Sequence, residues 1–253
     1  MAWTRTYDEA EPQRVNKWLA QSGVCSRREA EALIGQGLVT IDGEVVEDAG
    51  RKILPGQTLV LNDGATKQLG AAMTVMIHKP VGIVSSQPEG EQIPAVRLLT
   101  KAAQFGQPGP VPGRDSKLAP VGRLDMDSRG LLILSEDGVV AKAVIGPEST
   151  LEKEYRVRVR GELTREKIDW LRHGLELDGR KLKRAVVDRL GQETLRFVLT
   201  EGRNRQIRRM CDLVELDVID LFRHRVGPIE LGDLPEGRWR PLTPAEREAL
   251  IRG

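Results

Sequence analysis

Apolar residues recur along this chain with two periods, ~3.6 and ~2, and the switches between them mark its elements. Val15, Trp18 and Leu19 fall on one helical face, and Ala30, Leu33 and Ile34 on another. Ser26 with Glu29 three residues later reads as a capping box opening the second helix, and Gly37 stands where that helix ends. LVTI, Asp42-Gly43 and VV then read as a hairpin, and Pro55-Gly56 turns the chain into LVLN. Further on, VMIHK and LLILS read as buried strands. EYRVRVRG sets Tyr155, Val157 and Val159 against Arg156, Arg158 and Arg160, a period of two. TREKIDWLRHG reads as a helix capped at Thr164 and stopped at Gly174. KLKRAVVD and TLRFVLT read as strands. RNRQIRRMCDLV reads as a helix with Ile207, Met210, Cys211 and Val214 inward.

These elements predict two domains. Residues 1–13 are expected to be a flexible N-terminus, and 14–61 form a small unit ordered helix, helix, short strands. Residues 62–73, polar and small without periodicity, read as a linker. Residues 74–253 form the larger domain, whose strands arrive in hairpin-like pairs with few helices between them. That order predicts an α+β fold with a mainly antiparallel sheet. The Gly- and Pro-rich stretch 100–118 reads as a surface loop.

Composition narrows the class. With 30% charged and 40% hydrophobic residues the chain is an ordinary globular one. No apolar run approaches ~18 residues, which argues against a membrane helix. MAWTRTYDEAEPQRV has no apolar leader core, so a cytoplasmic location is expected. Cys25 and Cys211 cannot form a disulfide framework and read as small core residues. The net charge is only +2, but the 39 basic residues are 28 Arg and 11 Lys. Arginine's planar fork suits phosphates and base edges, and arginine-rich codon usage explains the bias equally well. Aromatics at 4% are too few for a single-strand stacking platform.

Phosphate-loop, dinucleotide and nucleophile-elbow signatures are absent from the sequence. His78, His173 and His224 lack metal-ligand spacing, so no metal site is expected. Three segments stand out instead. Arg14, Lys17, Arg27 and Arg28 lie on two consecutive helices. Arg203, Arg205, Arg208 and Arg209 crowd the start of another, where the helix dipole is already positive, so an anion such as phosphate is expected there, with a solvated face ion-paired to Asp or Glu as the alternative. Between them, in VGRLDMDSRGLLILSEDG, Asp125 sits on a turn before a buried strand, with Asp127 and Asp137 as nearby alternatives. A cleft carboxylate that must stay ionised needs a cation within ~4–6 Å.

RVNKWLAQSGVCSRREAEALIGQGLVTIDG, IHKPVGIVSS, GRLDMDSRGLLILSEDG, EKEYRVRV, EGRNRQIRRM and GRWRPLT, in this order and spacing, resemble the bacterial ribosomal-RNA pseudouridine synthases of the RsuA type, most closely their RluF branch. The resemblance covers about residues 14–245. It implies an S4-like RNA-binding domain followed by a catalytic domain with a mixed sheet flanked by helices. The implied reaction is isomerisation of a uridine in RNA, without cofactor or metal. By position in the motifs, Asp125 is the nucleophile, Tyr155 the active-site tyrosine and Arg208 the basic partner of Asp125. The resemblance also implies that Arg123 helps hold the target nucleotide out of its helix. Arg14, Lys17, Arg27, Arg28, Arg203, Asn204, Arg205 and Arg209 are the further RNA contacts expected. Ribosomal RNA is the implied partner, 23S first, with 16S or a tRNA as alternatives, and the chain is expected to be a monomer. A non-catalytic RNA-binding or ribosome-assembly protein is the other class considered, and a two-carboxylate glycosidase using Asp125 and Asp127 a remote third.

Overall fold

A computed structural model describes residues 2–113 and 116–253. The chain divides into two compact units, one made of residues up to Met73 with Ser135–Lys142, the other of Thr74–Leu134 with Ala143–Gly253.

In the first unit the helix Val15–Gln21 buries Val15, Trp18 and Leu19, and the helix Arg27–Gly35 buries Ala30, Leu33 and Ile34. The Ser26–Glu29 capping box is formed from both sides. The Ser26 hydroxyl accepts the Glu29 amide at 3.2 Å, and the Ser26 amide donates to the Glu29 carboxylate at 2.6 Å. The helices cover an antiparallel sheet ordered Trp3–Thr6, Thr58–Leu61, Val39–Ile41, Glu44–Val45. Asp42 and Gly43 both take positive φ in the turn between the last two, the hand that matches strand twist in a two-residue hairpin.

Two expectations for this unit are corrected. The N-terminal segment, expected to be flexible, contributes Trp3–Thr6 as an edge strand paired over four residues with Thr58–Leu61. Tyr7 is buried in the core, and its ring stands edge-on to Trp18 with centroids 5.4 Å apart. Two aromatic side chains packed on Trp18, together with a ladder of backbone hydrogen bonds, outweigh the local polarity. Residues 62–73, expected to be a linker, contain the helix Asp63–Gly70, capped by the Asn62 side chain on the Ala65 amide at 3.0 Å.

The second unit is built on one sheet. Its order is Val186–Arg189, Thr194–Leu199, Lys153–Arg160, Asp217–Val226, Arg129–Ser135, Thr74–Lys79, Trp239–Pro241. Pairs toward both flanks are antiparallel. At the centre Phe222 with Arg129 and Arg223 with Gly130 pair in parallel. The fold is thus α+β with a mixed sheet, as the order of elements implies. Val157 and Val159 face a core with Phe197, closed by Ile168 and Leu171 of the helix Arg165–Arg172 and by Ile207, Met210 and Cys211 of the helix Gln206–Leu213. Each such side chain, fully buried, contributes about 1.5–3 kcal/mol. Burial pushes both cysteine thiols up to about 12, so they are inert packing groups at neutral pH.

KLKRAVVD is not one strand. Asp178-Gly179 turns the chain, so Arg180–Lys181 pairs back on Glu176–Leu177, and the sheet strand begins only at Val186. Helices Gly138–Ile145 and Pro244–Arg252 are additional to the predicted elements, although the second opens with the same capping box, Thr243 with Glu246, that announces the helix at Ser26. The stretch 100–118 holds one short turn of 3₁₀ helix, Lys101–Ala103, and its residues 114 and 115 lie outside the described residues.

The parallel pairing at the centre of the sheet depends on Gly130. Its φ is +111°, and a Cβ there would lie 2.2 Å from the Arg223 carbonyl oxygen. Backbone cannot yield as a side-chain tip can, so Gly130→Ala is expected to destabilise this unit by about 3 kcal/mol or more, read as a fall in thermal midpoint.

Candidate active site

Residues 121–128 lead into the buried strand Arg129–Ser135. The segment begins at Val121, whose amide donates to the Ile133 carbonyl at 2.8 Å, and most of the turn that follows is fastened from inside the protein. The buried Ser85 hydroxyl donates to the Leu124 carbonyl at 2.6 Å and accepts the Leu124 amide at 2.9 Å. Arg223, 3% exposed, sends its guanidinium beneath the turn to the carbonyls of Gly122 and Arg123, both at 3.2 Å, and of Leu131 at 2.8 Å. The Gly82 amide donates to the Met126 carbonyl at 2.8 Å. That adjoining turn is itself tied by Lys79, fully buried, whose ammonium donates to the carbonyls of Pro80 and Ile83 at 2.8 and 2.7 Å. Burial pushes the Lys79 ammonium down to about 8, against the opposing pull of Asp125 and Asp127. Buried cations satisfied only by carbonyls are costly, and here they leave the Asp125 side chain projecting from a rigid base.

Asp125 and Tyr155 line one cavity of about 810 Å³, within the ~300–1,000 Å³ typical of small-molecule sites. The Asp125 side chain is 29% exposed. Tyr155 is half-buried on the strand Lys153–Arg160, opposite Phe197 on one side and Arg223 on the other. Arg123 is exposed at the cavity, and Leu124 beside it is buried, as expected for a packing residue. Lys153 and Lys183 also line it. Burial and then the charges of Arg223 and Lys183 lower the Lys153 ammonium, and it donates to the Val144 carbonyl at 3.2 Å. One wall of the cavity is therefore cationic.

The arginines of 203–209 do not form one anion site. Arg205 and Arg208 pair with carboxylates of the turn. Arg205 holds Asp127 with two hydrogen bonds of 3.2 and 2.9 Å and lies 3.6 Å from Asp125. Arg208, expected to be the partner of Asp125, instead bonds the Asp127 carbonyl at 2.8 Å and the Ser128 hydroxyl at 3.3 Å, with the Asp127 carboxylate also at 3.3 Å; its Nε is buried without a partner. Burial raises the Asp127 carboxyl, but the Arg205 hydrogen bonds and the charges of Arg208 and Arg205 outweigh it, leaving it below the ordinary range. Arg203 is spent on the carbonyls of Leu177, Arg180 and Lys181 at 2.7–3.2 Å. Arg209 forms a bidentate pair with Asp178. Both were expected on RNA; their donors are instead used to hold the hairpin Glu176–Lys181. The helix start is neutralised by the protein's own carboxylates, because the turns that carry them fold against it. Asn204 remains exposed at the cavity.

In the first unit Arg14, Lys17, Arg27 and Arg28 are all exposed, with no carboxylate within ion-pair distance among the described residues.

Sequence reasoning missed Ser85, Lys79 and Arg223 as supports of the site. A signal existed for Lys79, a lysine closing the apolar run VMIHK, and for Arg223, an arginine two residues after the inward-facing Leu221. It also missed Glu154, on the sheet face opposite Tyr155. Glu154 bonds Arg196 at 2.6 and 3.1 Å and Arg225 at 3.0 and 2.8 Å, with His224 Nε2 3.3 Å away. The Arg196 hydrogen bonds hold its carboxyl down at about 2 despite partial burial.

Comparison with known proteins places this arrangement. Residues 73–213 match the family model described as RNA pseudouridylate synthase, and residues 13–59 match the S4 domain. The chain is 34% identical to the dual-specificity RNA pseudouridine synthase RluF of Escherichia coli (strain K12), over 94% of this chain and 78% of that protein. It is 32% identical to the ribosomal large subunit pseudouridine synthase B of Bacillus subtilis (strain 168), over 94% and 95% of the two chains. A crystal structure of a pseudouridylate synthase aligns with a TM-score of 0.65 at 26% identity, covering 94% of this chain and 99% of that one. The chain belongs to the RNA pseudouridylate synthase family. It is an isomerase acting on uridine in RNA, with an S4 domain preceding the catalytic fold.

The Glu154 cluster predicts an acid limb of stability. Its carboxyl titrates lower in the folded chain than the ordinary 4.5, so its contribution is present above about 4.5 and is lost as pH falls toward about 2. Thermal melts across that window are expected to show a steeper loss for the wild type than for Glu154→Gln, which starts less stable at neutral pH.

Proposed function

We propose that this enzyme isomerises a uridine of ribosomal RNA, 23S in the first instance, with Asp125 as the reacting carboxylate and Tyr155 against the extruded base. The observation that carries the reading is the juxtaposition of Asp125 and Tyr155 on one cavity with a cationic wall. The name of one relative, the ribosomal large subunit pseudouridine synthase B of Bacillus subtilis, supports the choice of RNA.

The reaction breaks the N1–C1′ bond, turns the base and joins C5 to C1′. C5 loses a proton and N1 gains one, so no atoms or electrons are exchanged with a co-reactant. Asp125 acts as nucleophile at C1′ or C6, or as base at C2′. Arg205, 3.6 Å away, supplies the cation beside it. The half-buried ring of Tyr155 offers a face for the base and a hydroxyl for proton transfer. Extruding the nucleotide costs a few kcal/mol, and the exposed Arg123 is suited to fill the gap left behind. Lys153 and Lys183 are suited to the flanking phosphates. A chain whose cavity is lined by its own residues works as a monomer in this reading.

The S4 domain contributes Arg14, Lys17, Arg27 and Arg28 to phosphates, which positions the enzyme without choosing the base. Structured RNA recognised by shape is consistent with few aromatics and many arginines.

Transcripts of 23S, 16S and tRNA carrying C5-tritiated uridine provide the assay. Wild type is expected to release tritium to water from a 23S fragment. Asp125→Asn is expected to release none while binding the same RNA within about threefold, since it removes the reacting group and no phosphate contact. Full activity in that variant would overturn the assignment of Asp125, and release only from 16S or tRNA would overturn the choice of 23S. Replacing Arg14, Lys17, Arg27 and Arg28 together by Gln is expected to weaken binding and reduce the slope of log K against log salt by up to about 0.9 per lost contact. An unchanged slope would remove the S4 face from the interface.

A further inference from the structure

Four charges meet at the edge of the cavity, the carboxylates of Asp125 and Asp127 and the guanidiniums of Arg205 and Arg208, and they are not paired evenly. Arg205 grips Asp127 with both terminal nitrogens, at 3.2 and 2.9 Å, yet stays 3.6 Å from Asp125. Arg208 likewise spends its Nη2 on Asp127 and Ser128. Asp127 thus engages both cations, and Asp125 is left without a fork closed on it. Unlike Asp125, Asp127 does not line the cavity. Arg205 itself leaves the backbone from a left-handed residue, φ 48°, just before the helix Gln206–Leu213, so its side chain starts from a fixed and uncommon direction.

We propose that Asp127 is a positioning residue for isomerisation: by occupying the fork of Arg205 it keeps that cation beside Asp125 while leaving the Asp125 oxygens open to the substrate uridine. The inference rests on the reading of Asp125 as the reacting carboxylate. Its physical basis is the preference of a guanidinium for two parallel bonds to one carboxylate. Two carboxylates lie within reach of Arg205. While Asp127 is charged it takes the bidentate geometry, and Asp125 receives only the nearby positive charge, which stabilises negative charge without blocking lone pairs. With Asp127 neutral, the fork closes on Asp125, and oxygens that must attack or accept a proton are tied up in hydrogen bonds. Asp127 acts through Arg205 and touches no reacting atom.

The test compares wild type, Asp127→Asn, Asp127→Glu, Arg205→Gln and the double variant Asp127→Asn/Arg205→Gln as full chains, on the transcript that responds to wild type. Asp127→Asn is expected to lose about 10- to 100-fold in kcat, the scale of a small misplacement at a reacting centre, with KM and RNA affinity within about threefold. Asp127→Glu, which restores the charge, is expected to recover most of the rate. The double variant is expected to be faster than Asp127→Asn, because no guanidinium remains to cap Asp125, a non-additivity that marks coupled residues. A merely structural Asp127 predicts the opposite, a double variant no faster than the single one, and that result overturns the proposal. So does a wild-type kcat in Asp127→Asn, or a loss confined to KM. If Asp125→Asn is itself fully active, it is the underlying assignment that fails; if Asp125→Asn is dead and Asp127→Asn is not impaired, only the positioning role does.

Discussion

The constraint on which the site depends is that a turn in the middle of the catalytic sheet must present one carboxylate outward while its own backbone polar groups are satisfied inward. Ser85, Arg223 and, through the neighbouring turn, Lys79 do this from buried positions. A buried ammonium and a buried guanidinium are expensive unless every donor finds an acceptor. Here the acceptors are main-chain carbonyls of the two turns and of Leu131 in the adjoining strand. Moving the turn would strand those cations, so the cost of burying them becomes rigidity at residues 122–126. Gly130 belongs to the same constraint, since the parallel pairing that brings Arg223 under the turn leaves no room for a Cβ.

The strand Lys153–Arg160 divides its side chains among three tasks because successive residues point to opposite faces. Lys153 and Tyr155 reach the cavity, Val157 and Val159 continue the same face into the core, and Glu154 organises arginines on the other face. The cavity is therefore an extension of the packed core, with the tyrosine at the boundary. The four arginines of residues 203–209 are divided in a similar way. Arg203 and Arg209 hold a hairpin, and Arg205 and Arg208 hold the turn of Asp125. Only the latter pair stands at the turn that carries Asp125, where a cation can shape the chemistry of a carboxylate.

The N-terminal unit works by a different logic. Its hydrophobic core is complete within the unit, with Trp18 between Trp3 and Tyr7. Four cations lie on its surface without carboxylate partners among the described residues. Exposed and unpaired, they leave this face of the unit positively charged, the kind of surface that attracts phosphates without reading bases.

Elements whose periodicity and caps are local are legible in the sequence. The helices at Val15 and Arg27, the helix capped at Thr164 and the alternating strand at Tyr155 are of this kind, because their signals lie within one or two turns of chain. Asp125 is legible too, though its candidacy comes from the ordered motifs and not from spacing. What is not legible is decided over long separations. Trp3–Thr6 is a strand only because Thr58–Leu61 offers an edge. Arg203 reads as a phosphate contact in the sequence, but a hairpin more than twenty residues earlier in the chain supplies carbonyls for it. Among the described residues Arg205, not Arg208, is the cation within ion-pair distance of Asp125, and it sits at a left-handed position that no residue pattern announces. By itself the sequence determined the family, the order of its two domains and the candidate reacting groups, since these are written in residue types and their order. The tertiary structure alone decided which cation meets which carboxylate, because ion pairs across about eighty residues depend on where two turns come to rest, and no local pattern records that.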